Sequence, residues 1–382
     1  MSAEGSAVQR APRLHSLTGL RWWAAFAVFL FHMRNLAPLP GANGIVEFGN
    51  YGVTFFFILS GFVLTWSARS TTTIPTFYVN RFARIWPAAF ITLLLAIPVF
   101  YSFDPDPSQP FVKPFDLAIL ALSIPLIQGW WRDPVILFSG NPAAWTLTSE
   151  FFFYALHPFI NRVLGFLRLG GTLVLTAVVV LLAFGHRALA SYWPEYVLDQ
   201  LPLPILRLNE FVLGMLVAHA IRLGWAIRIP AWLPLAGIAG IVALDWLAGF
   251  ALLPARFADL FSRFQPELVL VLLTVAIASI AGADLAGKRS LFASRPIVTL
   301  GEWSFAFYLV HATVIYGLIL VFGAQPAAWS GIVWYVPAFI LSLALAGAVH
   351  LWVEKPLERR IRRAWALRQA RHATQPAASP AP

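Results

Sequence analysis

Apolar residues fall in long runs separated by short polar stretches, at about 20–37, 50–68, 85–103, 116–130, 143–164, 171–190, 204–223, 232–253, 266–282, 298–322 and 332–353. About 20 apolar residues in a helix cross the ~30 Å hydrocarbon layer of a bilayer. The pattern therefore predicts an all-α, polytopic integral membrane helical bundle. Few connections are long enough to hold a separate domain, and no repeat of fixed period is visible. The expected organisation is an N-terminal cytoplasmic segment over 1–19, a membrane domain over 20–358, and a cytoplasmic tail over 359–382 that is first basic and then disordered. The polar start reads as leading into a retained first span rather than a cleaved signal peptide.

Basic residues set the orientation. Arg359, Arg360, Arg362, Arg363, Arg368 and Arg371 place the C-terminus in the cytoplasm. Arg10 and Arg13 ask the same of the N-terminus. An odd number of spans cannot satisfy both. The segment 116–130 is the shortest, ~22 Å as a helix, and Pro125 and Gly129 interrupt it. The expectation is about ten transmembrane helices, with 116–130 re-entrant or interfacial on the outer side.

Composition narrows the picture. Of 382 residues, 59% are hydrophobic and 12% charged, which excludes an ordinary soluble domain. A net charge of +10 raises the possibility of nucleic acid, but topology-setting loops account for it. No nucleic-acid partner is expected; membrane lipid and an anionic ligand remain. With no cysteine, disulfides, thiolate catalysis and cysteine metal sites are excluded. No close ligand spacing suggests a metal either.

Ionisable groups inside apolar runs cost several kcal/mol unless they meet a partner or water, so they mark functional candidates. In the first run Arg21 and His32 are eleven residues apart. That is about three helical turns, so both project from one face, ~16 Å apart along the axis. Arg81 and Arg84 share a face at i, i+3 and can grip phosphate; Pro87 is placed in the first turn of that span. In Trp145ThrLeuThrSerGlu150PhePhePheTyr154AlaLeuHis157, the residues Glu150, Tyr154 and His157 share a face. A carboxylate there needs a partner or a proton, and a pairing with His32 satisfies both. His311 closes Trp303SerPheAlaPheTyr308LeuValHis311, and His350 lies in the last run. The stretches around Ser60 and Gly61, and around Gly214, carry small residues that mark close helix packing.

Together these residues resemble the acyltransferase type 3 membrane family. The likeness runs in order through Arg21 and His32, PhePhePheIleLeuSerGlyPhe at 55–62, ArgPheAlaArgIleTrpPro at 81–87, TrpThrLeuThrSerGluPhePhePheTyr at 145–154, TyrLeuValHis at 308–311 and ValGluLysProLeu at 353–357. The resemblance implies transfer of an acyl group from an acyl-CoA donor, acetyl-CoA by family default, to a hydroxyl of a carbohydrate or glycoside. It implies a plasma-membrane enzyme with a cytoplasmic donor and no metal. It marks Arg21, His32, Arg81 and Arg84 as essential, and the expected role of the three arginines is to bind the donor. Some members continue into an extracytoplasmic hydrolase-like domain, which this chain is expected to lack. At Glu150 the family often shows a second acidic residue; here Ser149 and Phe151 flank it.

The expected mechanism has His32 as general base or acyl-carrying nucleophile and Glu150 orienting its ring. Ser60, Trp145, Tyr154, Tyr308 and His311 are candidate substrate contacts. The rival class is a transporter or flippase of a lipid-linked glycan or small glycoside, which also needs buried charge and a wet path.

Overall fold

A computed structural model describes residues 11–193 and 200–374. The remaining positions, including Arg10 and the end of the tail expected to be disordered, lie outside the described residues. The helices are α1 (His15–Leu36), α2 (Asn43–Glu47), α3 (Tyr51–Trp66), α4 (Ile74–Phe100), α5 (Leu117–Leu122), α6 (Pro134–Leu137), α7 (Trp145–Leu164) and α8 (Leu169–Tyr192). They continue with α9 (Leu203–Leu206), α10 (Leu208–Arg222), α11 (Trp232–Gly249), α12 (Ala255–Leu285), α13 (Arg295–Phe322), α14 (Tyr335–Ala348) and α15 (Lys355–Thr374). Two-residue strands, β1 (Tyr101–Ser102) and β2 (Lys113–Pro114), pair in parallel.

Eight helical segments among the described residues are long and apolar enough to cross a membrane. α1 and α7 have the length, 22 and 20 residues, but fall short in apolarity. They are the helices that carry Arg21 and His32, and Glu150 and His157. The segment 116–130 does not form a spanning helix. Asp116 caps α5 by accepting from the amides of Ala118 and Ile119, and six residues give only ~9 Å. α5 ends at Leu122, and Leu126 takes φ 59° ahead of the 3-10 turn at Gln128–Trp130.

One sequence expectation is corrected. Pro87 does not lie in the first turn of its helix, because α4 begins at Ile74. Thr73 caps it by accepting from Thr76 N at 3.4 Å, and Pro75 occupies its first turn. Pro87 and Pro98 are interior. The polar turn around Asn80, Arg81 and Arg84 hid the true start from any reading based on apolarity.

The chain forms two compact units interleaved in sequence. Among the described residues, unit 1 holds those up to Arg34, Pro40–Arg69 and those within Leu156–Glu302; unit 2 holds Asn35–Leu39, Ser70–Ala155 and those from Trp303 through Thr374. In unit 1, α3 and α10 cross with backbones almost touching. A Cβ on Gly61 would lie 2.0 Å from the Phe211 carbonyl, and one on Gly214 would lie 1.8 Å from that of Ile58. Only glycine permits this approach. A core of Phe55, Ile58, Leu59, Phe62, Leu213, Val217, Leu270 and Ile277 surrounds the crossing. Arg207, over the Phe57 ring, pairs with Glu210 at 3.1 Å and bonds Thr54.

In unit 2, α15 lies along the first half of α4. Trp365 Nε1 and Gln369 Nε2 donate to Thr76 Oγ1 at 3.1 and 2.9 Å, and Arg362 Nη2 donates to the Asn80 carbonyl at 3.5 Å. The basic stretch after residue 359 is therefore helical through Thr374. α14 reaches it through one π-helical turn, Val349–Glu354.

Candidate active site

The sequence-predicted residues fall in both units. Arg21, His32 and Ser60 belong to unit 1; Arg81, Arg84, Trp145, Glu150, Tyr154, Tyr308 and His311 belong to unit 2.

Within unit 1, main-chain contacts seat α1. A Cβ on Gly19 would meet the Phe292 carbonyl at 1.9 Å, and one on Gly301 would meet that of Thr18 at 1.9 Å. Further along, Gly49 and Gly52 lie against the carbonyls of Ala27 and Ala24. One turn beyond, half-buried His32 places Nδ1 2.9 Å from the Val28 carbonyl. A carbonyl oxygen only accepts, so Nδ1 carries the proton and Nε2 of the neutral ring is the basic nitrogen. The backbone of α1 itself therefore fixes the Nδ1 side of the ring. Ser60 is half-buried and adjoins the Gly61 crossing. His157, in the part of α7 that belongs to unit 1, is buried, with Nε2 3.3 Å from Thr65 Oγ1.

Within unit 2, Asn141 joins two sequence motifs. Its Oδ1 accepts from Ala143 N at 3.1 Å, and its Nδ2 donates to the Leu309 carbonyl at 2.7 Å. Tyr308 OH donates to the Ala143 carbonyl at 3.3 Å. His311 is fully buried, and its Nδ1 donates to the Tyr308 carbonyl at 2.6 Å. Asn141, Tyr308 and the entrance to α7 thus form one hydrogen-bonded group, while Trp145 and Glu150 are half-buried on the helix it starts. Gly129 N donates to Thr148 Oγ1 at 3.1 Å, which pins the 3-10 turn to the same helix.

The arginine pair of α4 lies in unit 2 with an extensive polar environment. Arg84 Nη1 bonds Glu354 Oε1 and lies 3.4 Å from Glu358 Oε2. The other Glu354 oxygen accepts from His350 Nδ1 at 3.1 Å. Glu358 also pairs with Arg362 at 2.5 Å. The Trp303–His311 motif lines this network: Phe305 lies under the Arg84 guanidinium at 5.8 Å, and Trp303 packs on His350 with ring centres 6.3 Å apart. The charged and ionisable groups acting on Arg81 are Tyr154, Arg362, Arg84 and Glu358. Tyr154 also acts on Arg84, so the structure brings together three of the predicted residues: Arg81, Arg84 and Tyr154.

Glu354, Glu358 and Asn141 were not among the candidates. For Glu354 a signal existed, since it is a carboxylate at the end of an apolar run, like Glu150. Among the described residues no group of three or more histidines and acids gathers as a metal site.

A family model described as an acyltransferase domain matches residues 14–351. The chain is 33% identical over 378 residues to the acyltransferase MdmB of Streptomyces mycarofaciens, covering 92% of this chain and 93% of that one. It is 24% identical over 352 residues to the peptidoglycan O-acetyltransferase OatA of Listeria monocytogenes, covering 86% of this chain and 53% of that protein. It is 26% identical over 362 residues to nodulation protein 10 of Rhizobium leguminosarum bv. viciae, covering 88% and 91%. No solved structure matches. The ordered motifs, the helical membrane fold and a match across nearly the whole chain together show that this protein belongs to the acyltransferase type 3 family and is a membrane-bound O-acyltransferase of groups other than amino-acyl groups.

Proposed function

We propose that the protein transfers an acyl group, acetyl by preference, from acyl-CoA to a hydroxyl of a carbohydrate or glycoside in the bacterial cytoplasmic membrane. The observation that carries this reading is the Nδ1–H of His32 on the Val28 carbonyl, which makes Nε2 the proton acceptor on the helix that also bears Arg21. Nε2 takes the proton of the acceptor hydroxyl while its oxygen attacks the thioester carbonyl. The tetrahedral intermediate expels the CoA thiolate, which takes the proton back from the imidazolium. Alternatively, Nε2 attacks the thioester and expels the CoA thiolate; the acceptor oxygen then takes the acyl group from Nε2, and its proton goes to the thiolate. Glu150 orients and polarises the imidazole, and its carboxylate favours the cationic form of the ring.

Arg81 and Arg84 hold phosphates of CoA, and Arg21 also binds the donor. Trp145, Tyr154, Tyr308, His311 and Ser60 contribute substrate contacts. The basic residues of α15 favour cytoplasmic termini and a donor drawn from the cytoplasm. The relative named as a peptidoglycan O-acetyltransferase supports a glycan acceptor. Mass spectrometry of surface glycans and secreted glycosides, with and without the gene, identifies that acceptor. Purified protein should then move label from acetyl-CoA onto it, and His32→Ala should abolish the transfer. No transfer by the wild type, or full turnover by the variant, refutes the reading.

A further inference from the structure

The buried network behind the arginine pair is asymmetric. Glu354 has a side chain with no exposed surface, and each of its oxygens is engaged, one by Arg84 and one by His350. Both carboxylate contacts to Arg84 fall on a single nitrogen, Nη1. A guanidinium offers five N–H donors, so this clamp fixes its plane and leaves donors over. The Arg84 side chain is 25% exposed, so it is held at its root and still reachable. Arg81, on the same face one turn earlier, has no carboxylate within 4 Å among the described residues, and its buried Nε makes no hydrogen bond. Among the described residues of this cluster, the guanidiniums of Arg81, Arg84 and Arg362 meet two carboxylates, Glu354 and Glu358, which leaves one positive charge in excess. That excess suits a phosphate.

The π-helical turn has a purpose in this arrangement. It adds a residue to the helical turn that ends at Glu354, and such bulges re-aim side chains at functional sites. Here His350 and Glu354 are both buried, and Glu354 reaches α4.

We infer that Glu354, braced by His350, is the positioning residue of the donor-phosphate site: it clamps Arg84 through Nη1 so that the remaining donors of Arg84, together with Arg81, meet a phosphate of the acyl-CoA donor. This rests on the reading that the protein uses acyl-CoA. A long, free arginine loses rotamer freedom on binding a phosphate; a clamped one has lost it on folding, and affinity rises accordingly. A purely electrostatic role gives the opposite sign, because removing a negative charge beside two cations tightens the binding of an anion.

The test is equilibrium binding of coenzyme A and of phosphate-free pantetheine to the purified full-length protein in detergent. Wild type should bind CoA more tightly than pantetheine, and Arg81→Met should erase the difference. Glu354→Gln, which keeps the shape, should weaken CoA by about tenfold and leave pantetheine unchanged. Glu354→Asp, which restores the charge, should recover part of the loss. CoA affinity that is unchanged or higher in Glu354→Gln overturns the inference, as does an equal loss of both ligands, which marks a structural role alone. If wild type binds pantetheine as tightly as CoA, the phosphate site itself is absent and the inference falls, while CoA-dependent transfer still stands. Failure of wild type to bind CoA at all refutes the donor reading first.

Discussion

The helix bearing His32 in unit 1 and the helix bearing the arginine pair in unit 2 are seated by different contacts. In unit 1, α1 is seated by glycines pressed against main-chain carbonyls, at Gly19, Gly49, Gly52 and Gly301, and the ring of His32 is set by the carbonyl of Val28. In unit 2, α4 is tied to the C-terminal helices through side-chain charges, with Arg84 on Glu354 and Glu358, and Arg362 on Glu358 and the Asn80 carbonyl. The difference teaches where each unit is vulnerable. Main-chain seating fails when volume is added, whereas charge seating fails when one partner is removed. It also suits the tasks proposed for each: a base needs a fixed tautomer, and a phosphate clamp needs an oriented cation.

The largest expected effect is on turnover. His32→Ala should cut the transfer rate by roughly 10²–10⁴-fold, the usual contribution of a positioned acid–base group, with CoA affinity unchanged. Rate and binding measured on the same preparation check it. A comparable fall in CoA affinity erases the functional contrast between the units.

Next comes the charge seating. Arg84→Met leaves Glu354 buried without its cation and should destabilise by about 3–5 kcal/mol, whereas Arg84→Met with Glu354→Gln should cost much less. Thermal unfolding in detergent of both single variants and the double variant gives the coupling. Additive losses would show that the pair does not hold α4.

The steric seating should respond less. Gly61→Ala forces a Cβ to within 2.0 Å of the Phe211 carbonyl and should lower stability by roughly 1–3 kcal/mol. Gly185→Ala, where nothing lies within 4 Å, should be neutral or stabilising. Equal melting temperatures for the two variants would remove the case for close crossing in unit 1.

The smallest effect sharpens the comparison from the other side, because Lys113 of unit 2 is a cation held by the main chain. Its Nζ donates to the Phe138 carbonyl at 2.6 Å, and burial pushes its pKa down to about 8, against an opposing pull from Asp133. The unfolded chain then binds more protons than the folded one between about pH 8 and the ordinary lysine value of 10.5. Stability should rise with pH across that window and be lowest below it. Lys113→Met should flatten that slope in a melting series from pH 7 to pH 10.

Much of this was legible in the sequence. The long helices α1, α3, α7, α8, α10, α11, α13 and α14 fall close to apolar runs, α4 and α12 begin eleven residues before theirs, and 116–130, singled out as too short to span, forms no spanning helix. Arg81, Arg84 and Tyr154 were marked from residue type and spacing together with the family resemblance, and they are neighbours in unit 2. The start of α4 was missed because Asn80, Arg81 and Arg84 interrupt its apolarity where Thr73 and Pro75 supply the true signal. The partner of Arg84 was missed because Glu354 lies 270 positions away.

By itself, then, the sequence determined a helical membrane protein, the family and the polar exceptions in its apolar runs. Hydrocarbon imposes a local rule on every residue that enters it, so each exception stands out without knowledge of its neighbours. Only the tertiary structure decided which carboxylate each guanidinium meets, that Asn141 reaches the Leu309 carbonyl, and that Gly61 and Gly214 are where two backbones come together. Those contacts join positions far apart in the chain. Periodicity fixes the face on which a side chain lies, but helix packing selects the group opposite it.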